Sequence, residues 1–243
     1  MYDTMEDKKQ IAEMILDFMH RTMMHYTFWY SEAEHQFGRE KAFEILDAAW
    51  KRSYAVQMRR FSKIFEFEMK DNIPKPILDL PKEKLEELRK ATAINWLAND
   101  GVWFQAIEFT RGMNDAKRTN DSTWSQFSPF EARTIKKMLG LGEFPGIEGL
   151  KKALQYRLYN YVNKQQIIDE GPNSFLFKMI ECRVQLARKR KGLPDYPCKS
   201  GGIVEYTTFA ETIDPRIKTM VVSCPPDPHP DDFFCAWRFY IEE

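Results

Sequence analysis

An internal repeat constrains the fold of this chain more than any other feature of its sequence. Shifting the sequence by 74 residues aligns positions 25–65 with positions 99–139 without a gap. The shift pairs four of the six tryptophans, which chance rarely does for so uncommon a residue, so the pattern predicts a duplicated structural unit. The identical pairs are Trp29 and Trp103, Glu34 and Glu108, Gly38 and Gly112, Ala42 and Ala116, Asp47 and Asp121, Trp50 and Trp124, Arg59 and Arg133, and Lys63 and Lys137.

Each copy of the repeat is predicted to be a helical hairpin. An apolar helix reaches Gly38 in the first copy and Gly112 in the second, and glycine ends helices because it adopts left-handed conformations with little strain. After a short connector, Asp47 and Asp121 are predicted to cap a second helix by accepting hydrogen bonds from its free N–H groups. Two hairpins joined through the proline-rich linker 74–81 are expected to pack as a bundle that buries the tryptophans.

The repeated glutamates, Glu34 and Glu108, admit two interpretations, because an ionised carboxylate is rarely buried without a partner. The favoured interpretation is a salt bridge in each hairpin to the repeated arginine, Arg59 or Arg133, that holds the hairpin in register. The alternative is that the carboxylates face a cleft. In that case Asp100 and Glu108 of the second copy are the candidate general acid or base.

A segment that is both polar and aromatic, residues 95–104, predicts a small-molecule pocket in the second hairpin. Asn99 and Trp103 are four residues apart and share a helix face, with Trp96 one turn further back. Such mixed lining is typical of pockets in which apolar walls meet a few polar groups. Tyr206, from the C-terminal region, is a further candidate for the lining.

The C-terminal part of the chain is predicted to begin with helices and to end in a sheet. Apolar residues recur at helical spacing over 150–163 and again over 174–191. Three short runs rich in β-branched and aromatic residues then predict strands, at 203–209, 217–224 and 233–241.

These patterns together predict an α+β protein that is mostly α. The helical bundle comes from two duplicated helical hairpins, and a small antiparallel β-sheet lies at the C-terminus. The predicted division is a hairpin region at 1–145 and, packed against it, a region of helices and three strands at 146–243.

Cysteine and histidine in the C-terminal region are the candidate chemical groups. Cys224 precedes the proline-rich turn 225–232, His229 lies within it and Cys235 follows it. Together with Cys198 these residues predict an irregular zinc site, and Cys224, His229 and Cys235 are also candidate catalytic groups. The alternative is that the thiols are buried and bind no metal, as free cysteines often are. The sequence also indicates no helix N-terminus or cation that would lower a thiol pKa, which disfavours thiol chemistry.

Charge and hydropathy disfavour several classes of partner. Lys plus Arg equals Asp plus Glu at 36 each, which gives no electrostatic reason to bind nucleic acid or an anionic membrane. The sequence contains neither a long apolar run nor a signal-peptide pattern at its start, so we expect a soluble, cytoplasmic protein. A small-molecule ligand is the predicted partner, and a homo-oligomer is left open.

Four C-terminal segments carry a resemblance to a known family: Glu181-Cys182-Arg183-Val184-Gln185, Pro197-Cys198-Lys199, Ile213-Asp214-Pro215-Arg216-Ile217 and Cys235-Ala236-Trp237-Arg238-Phe239. They look like a group of prokaryotic proteins similar to the L-2-amino-thiazoline-4-carboxylic acid hydrolase family, and the Trp-x4-Glu-x3-Gly pattern extends the likeness over most of the chain. The ending Cys-Ala-Trp-Arg-Phe also resembles the close of vinyl-4-reductase-type ligand-binding domains.

The first resemblance implies hydrolysis of a small cyclic or amidine-like carboxylic acid. A Cys/His site would then supply a nucleophile or a metal-bound water. One alternative is a non-catalytic ligand-binding or sensory protein with a pocket lined by Trp96, Trp103 and Tyr206. Another is a protein stabilised by structural zinc.

Overall fold

A computed structural model of the chain describes residues 7–192 and 194–242, so the N-terminal segment used in the signal-peptide argument lies outside the described residues. The chain divides into two compact units, Met1–Leu80 (unit 1) and Pro81–Glu243 (unit 2). This boundary differs from the predicted 145/146 division. The second hairpin belongs to unit 2 because it shares a hydrophobic core with the C-terminal elements. Ala132 and Ile135 of this hairpin contribute buried side chains to that core.

Unit 1 is a pair of long helices followed by a short β-hairpin and a helical turn. Asp7 starts the first helix with a reciprocal capping box to Gln10. The two helices run antiparallel, with Tyr30 stacked on Phe43 at 5.9 Å between ring centroids. The elements are α1 (Lys8–Phe37), α2 (Arg39–Ile64), β1 (Met69–Lys70), β2 (Ile73–Pro74) and α3 (Lys75–Leu78).

Unit 2 combines a second long helical pair with a four-stranded antiparallel sheet in the order β3-β4-β6-β5. The prediction of an α+β, mostly α protein is confirmed. The elements are α4 (Lys82–Arg111), α5 (Met113–Met138), α6 (Gly146–Leu154), a 3-10 turn (Leu158–Tyr161), β3 (Lys164–Asp169), β4 (Ser174–Glu181), α7 (Arg183–Arg190), α8 (Lys199–Ile213), β5 (Ile217–Ser223) and β6 (Cys235–Ile241).

The core of unit 2 lies between one face of the sheet and helices α5, α6 and α8. Alternate residues of β4 are buried, as expected for a strand with one face on a core. Tyr206 of α8 packs on Trp237 of β6 at 4.8 Å between ring centroids and on Phe177 of β4 at 5.7 Å. Helix α8 is thereby fixed across the two central strands.

The helix ends predicted at Gly38 and Gly112 are confirmed, since both glycines have positive φ and each separates two helices. The helical pairs have equal lengths, 30 and 26 residues in each unit. That the two pairs arose by duplication stays a prediction. The caps predicted at Asp47 and Asp121 are wrong, because the next helix begins directly after each glycine and both aspartates lie inside it.

The predicted salt bridges to Arg59 and Arg133 are wrong. Glu34 instead lies 3.0 Å from Arg39 across the Gly38 break. Arg59 is 21 residues beyond that glycine, roughly 31 Å along the helix at about 1.5 Å per residue, and Arg133 has the same spacing from Gly112. The helix lengths therefore separate each glutamate from the repeated arginine.

The predicted burial of the repeated tryptophans holds for Trp124 alone among the four. Trp124 is 5% exposed, whereas Trp29, Trp50 and Trp103 are each more than half exposed. Trp124 of α5 stacks on Tyr159 of the 3-10 turn, with 5.7 Å between the ring centroids. Trp50 occupies the equivalent position of α2, 12 residues after its glycine, and its ring contacts that of Tyr54 at 5.4 Å between centroids.

Two secondary-structure predictions in the C-terminal region are also wrong. The run 203–209 is part of α8, although its β-branched residues predicted a strand. Residues 174–181 form β4, the first half of a predicted helix. Tertiary packing overrides local propensity in both segments, because one covers the sheet and the other lies within it. The strands predicted at 217–224 and 233–241 are confirmed in substance as β5 and β6.

In the described part of the chain, no helix has both the length and the hydropathy needed to cross a membrane.

Candidate functional site

A cavity of about 300 Å³ lies within unit 2, between the α4–α5 pair, α7, the start of α8 and one end of the sheet. Its wall is mostly apolar, with aromatic rings from Trp124, Tyr159, Tyr206 and Trp237. Charged and polar side chains from α4, α5 and α7 complete the lining. This volume and composition fit a small organic molecule.

All four cysteines of the chain line this cavity. Three of them lie at one end of the sheet because neighbouring antiparallel strands end and begin there: Cys182 follows β4, Cys224 follows β5 and Cys235 begins β6. The fourth, Cys198, caps α8, and its Sγ lies 3.6 Å from Cys224 Sγ. No disulfide joins them.

Cys198 is held in place by a buried glutamine on α7. The Gln185 side chain accepts a hydrogen bond from Tyr196 N at 2.8 Å and donates one to Tyr196 O at 2.9 Å. Its amide Nε2 also lies 3.6 Å from Cys198 Sγ as a donor. Gln185 is 1% exposed, so these contacts fix the segment that carries the thiol.

The surroundings of Cys198 favour its thiolate. The pKa of Cys198 is lowered, first by the hydrogen bond from Cys224 and then by Lys117 and Gln185, while burial opposes the shift. The thiol also lies at the N-terminus of a 15-residue helix, whose dipole stabilises an anion. The structure thus supplies the helix terminus and the cation that the sequence did not indicate.

The other thiols favour the protonated form where a shift is resolved. Burial raises the pKa of Cys182 to about 12. The pKa of Cys224 is raised by its hydrogen bonds to Cys198 and Cys235 and by burial. Cys198 is therefore the candidate nucleophile of the cavity.

Helix α4 contributes carboxylates to the cavity wall. Asp100 and Glu108 both line the cavity, with Phe104 between them on the same helix face. Burial raises the pKa of Asp100, and Lys117 on α5 opposes that shift. Asp100 can therefore hold a proton at a higher pH than an ordinary aspartate.

A buried ion cluster lies behind the cavity. Arg157, 2% exposed, donates from Nε to Glu131 Oε2 at 2.8 Å, and its Nη1 lies 2.7 Å from Glu205 Oε1. Glu131 also accepts a hydrogen bond from Leu158 N at 3.0 Å. Burial raises the pKa of Glu205 to about 7, and the neighbouring Glu131 adds to this rise, although Arg157 lowers the pKa. Glu205 lines the cavity and can exchange protons near neutral pH.

The indole of Trp237 supplies a free hydrogen-bond donor. Trp237 is 1% exposed and lines the cavity, yet its Nε1 has no hydrogen-bond partner among the described residues. A buried donor without a partner is costly, so a ligand acceptor at this position would be stabilised.

Two glycines let α8 approach the cavity wall closely. A Cβ at Gly202 would lie 2.6 Å from Trp237 Cζ2, and a Cβ at Gly201 would lie 2.9 Å from Asp121 Oδ1. Real side chains do not pack at such distances, so Gly202 has to be glycine beside the buried ring of Trp237. At Gly201 the contact is only the end of the Asp121 side chain, which can shift.

Replacing Gly202 by alanine is expected to destabilise the protein by about 1–3 kcal/mol, because the buried ring of Trp237 has little room to move. Gly201→Ala is the matched control: it meets the end of a side chain, and alanine favours the helix by roughly 0.5–1 kcal/mol. Urea denaturation of both variants measures the difference. Equal stability of the two variants would contradict the close approach.

The cavity brings together six of the predicted site residues. The carboxylates predicted on the second hairpin line the same cavity as the thiols and the tyrosine predicted in the C-terminal region. The sequence had predicted two separate sites. The six are Asp100, Glu108, Cys198, Tyr206, Cys224 and Cys235.

The other four predicted residues are not among the described residues that line the cavity. The Nε2 atom of His229 lies 2.9 Å from Asp195, and its Nδ1 lies 2.8 Å from Pro230 O. Asn99 and Trp103 are exposed, on a helix face adjacent to the one that carries Asp100. Trp96 lies behind the wall, with its ring 4.9 Å from that of Tyr159.

Within the described residues, no group of three or more His, Cys, Asp and Glu side chains is arranged to hold a metal ion. Both ring nitrogens of His229 have polar neighbours other than the cysteines, namely Pro230 O and Asp195. Zinc binding at Cys198, Cys224, His229 and Cys235 stays a prediction.

Several residues that define the site were not predicted from the sequence. Lys117, Gln185 and Trp237 line the cavity, and Arg157 lies buried behind Glu205. They come from elements far apart in the chain, so no local spacing connects them. One signal was available: a Gly-Gly pair three residues after Cys198 is compatible with a closely packed helix start.

The comparisons with known proteins identify a family for this chain. A profile described as a family of unknown function (DUF6125) matches residues 75–241, more than two-thirds of the sequence. The chain belongs to this family. The DUF6125 match includes every residue that lines the cavity. Among curated proteins, no match was found.

Proposed function

We propose that unit 2 is a small-molecule hydrolase that uses Cys198 as its nucleophile. The observation that carries the proposal is a thiol with a lowered pKa, at a helix N-terminus, in a cavity of small-molecule size. Thiolates at such positions attack electrophilic carbon without needing a histidine base. This fits the absence of His229 from the described residues that line the cavity.

The charges around the cavity support a substrate that carries both signs. Its lining includes the acidic residues Asp100, Glu108 and Glu205 and the basic residues Lys117, Arg188 and Lys191. A small carboxylic acid with an amidine-like group pairs with both sets, since each charge meets an opposite one. The resemblance to the L-2-amino-thiazoline-4-carboxylic acid hydrolase family implies a substrate of this class.

The proposed reaction has two stages. Attack by the Cys198 thiolate forms a bond from sulfur to the amidine-like carbon. One carbon–nitrogen bond of that carbon then breaks, and the departing nitrogen takes the proton of Asp100, whose raised pKa suits it as an acid. Water then adds to that carbon and gives a proton to Glu205, whose pKa is about 7. Cleavage of the carbon–sulfur bond releases the product and restores Cys198.

Turnover of L-2-amino-thiazoline-4-carboxylic acid tests the proposal. We expect the wild-type chain to hydrolyse this compound and Cys198→Ala to lose roughly 10³-fold or more in rate, as for removal of other nucleophiles. His229→Asn is the control, expected to retain turnover because His229 does not line the cavity. Loss of turnover in His229→Asn, or its retention in Cys198→Ala, would contradict the assignment.

Non-catalytic ligand binding is the second candidate function. It is favoured by the aromatic wall and by the unpartnered Nε1 of Trp237, both of which suit binding without chemistry. Calorimetric titration of the same compound into wild type and Cys198→Ala separates the two candidates. Binding to both proteins without turnover by either would favour a sensory or binding role.

A further inference from the structure

Two thiols in the cavity are close enough to react with each other. Cys198 Sγ and Cys224 Sγ lie 3.6 Å apart, and a disulfide bond measures about 2.05 Å, so bond formation requires an approach of roughly 1.5 Å. We propose that Cys198 and Cys224 are a reversible redox pair, which small-molecule disulfides of the glutathione class oxidise and thiols reduce.

The two thiols differ in access, as the proposed exchange requires. Cys198 is half-buried and lines the cavity, so a small disulfide can reach it. Cys224 also lines the cavity but is only 1% exposed, so its thiol is less accessible than that of Cys198. An accessible thiol that attacks and a buried thiol that resolves the mixed disulfide are the two components of a dithiol exchange site.

The backbone holds the two cysteines together although 26 positions separate them in sequence. Lys199, next to Cys198, donates from its backbone N to Pro225 O, next to Cys224, at 2.9 Å. The side chain of Lys199 also lies 2.6 Å from Asp227 Oδ2. These contacts join the start of α8 to the loop after β5, so the thiol pair belongs to a fixed scaffold.

The exchange proceeds in two balanced steps. The Cys198 thiolate attacks one sulfur of glutathione disulfide, the glutathione S–S bond breaks, and one glutathione leaves as a thiolate. Cys224 then gives its proton to that thiolate and attacks Cys198 Sγ, which releases the second glutathione as a thiolate. The two cysteines lose two electrons in total, and glutathione disulfide gains them.

Oxidation consumes the sulfur that the proposed hydrolysis needs. The predicted loss of turnover on oxidation therefore rests on the proposed function, whereas formation of the disulfide depends only on the two thiols. The pair would couple the activity of the cavity to the ratio of disulfide to thiol around the protein.

Disulfide mapping tests the pair without any substrate. The reduced full-length chain is incubated with glutathione disulfide near neutral pH, quenched with acid, alkylated with N-ethylmaleimide and digested without reductant for mass spectrometry. We expect a peptide pair that links Cys198 to Cys224 and disappears after dithiothreitol. A chain that stays reduced, a lasting glutathione adduct on wild type, or a dominant link between Cys224 and Cys235 would each overturn the proposal.

Single variants resolve the order of the steps. Cys224→Ser should stop at a glutathione adduct on Cys198, and Cys198→Ser should form neither the adduct nor the link in the same time. Cys182→Ser is the control, expected to form the same link as wild type. A 198–224 link in a chain that fails to hydrolyse the thiazoline compound would support the redox pair and count against the hydrolase alone.

Discussion

Replacing Arg157 by methionine is expected to lower the free energy of unfolding by about 3–5 kcal/mol, because it leaves two buried carboxylates without their cation. Glu131 and Glu205 are each less than one-tenth exposed and both lie within 3 Å of the guanidinium. Methionine keeps much of the apolar volume, so the loss reports the missing charge and hydrogen bonds more than a cavity.

The loss should depend on pH in a defined direction. The pKa of Glu205 is already raised to about 7, from an ordinary value near 4.5, and removing Arg157 raises it further. A carboxyl with a raised pKa in the folded state contributes stability that is present at low pH and is lost as pH rises through the folded pKa. The deficit of Arg157→Met should therefore be larger above pH 7 than near pH 5.

Two controls separate this cluster from ordinary ion pairs in urea denaturation of the full chain. Arg238→Met breaks a partly exposed pair with Glu170 and should cost about 1 kcal/mol or less. Glu205→Gln leaves the Arg157 cation paired with the Glu131 carboxylate, so it should also lower the free energy of unfolding only a little. A loss below about 1 kcal/mol in Arg157→Met would contradict the account of a buried charge cluster.

The ends of the long helices could be predicted from the sequence because glycine ends a helix by a local mechanism. Gly38 and Gly112 take positive φ, which few other residues tolerate, so the ends could be located without knowledge of the tertiary structure. The predicted caps at Asp47 and Asp121 failed because a single glycine was enough for the reversal, and no connector was needed.

The sheet was harder to predict because its strands depend on non-local pairing. Residues 174–181 pair with β3 on one side and β6 on the other, and only those neighbours make the segment a strand. The run 203–209 has strand-like composition, yet it forms a helix that places Tyr206 and Phe209 in the core.

The cavity could be predicted in its residue types but not in its assembly. The sequence identified the cysteines as the candidate chemical groups. Three of them converge because they lie at strand ends, and of these strands only β5 and β6 were predicted. Which thiol is activated depends on Lys117 and Gln185, residues of two other helices. On α4, the face chosen from Asn99 and Trp103 is adjacent to the face that lines the cavity, because aromatic content alone does not orient a helix.

Selective alkylation of Cys198 is the second large effect that we expect. Its lowered pKa makes the thiolate available at a lower pH than in an ordinary cysteine side chain. Cys182, with a pKa of about 12, stays protonated near neutrality, so at pH 7 Cys198 should react at least about 10-fold faster. Lys117→Met removes the nearby cation and should move the Cys198 profile to higher pH.

The rate of iodoacetamide alkylation at each cysteine, followed by peptide mass spectrometry across pH, is the most direct test that the cavity of unit 2 presents Cys198 as its reactive thiol. The account predicts that Cys198 is modified first and that its rate rises at a lower pH than that of free cysteine. Modification of Cys182, Cys224 or Cys235 ahead of Cys198, or a Cys198 profile at or above that of free cysteine, would contradict it.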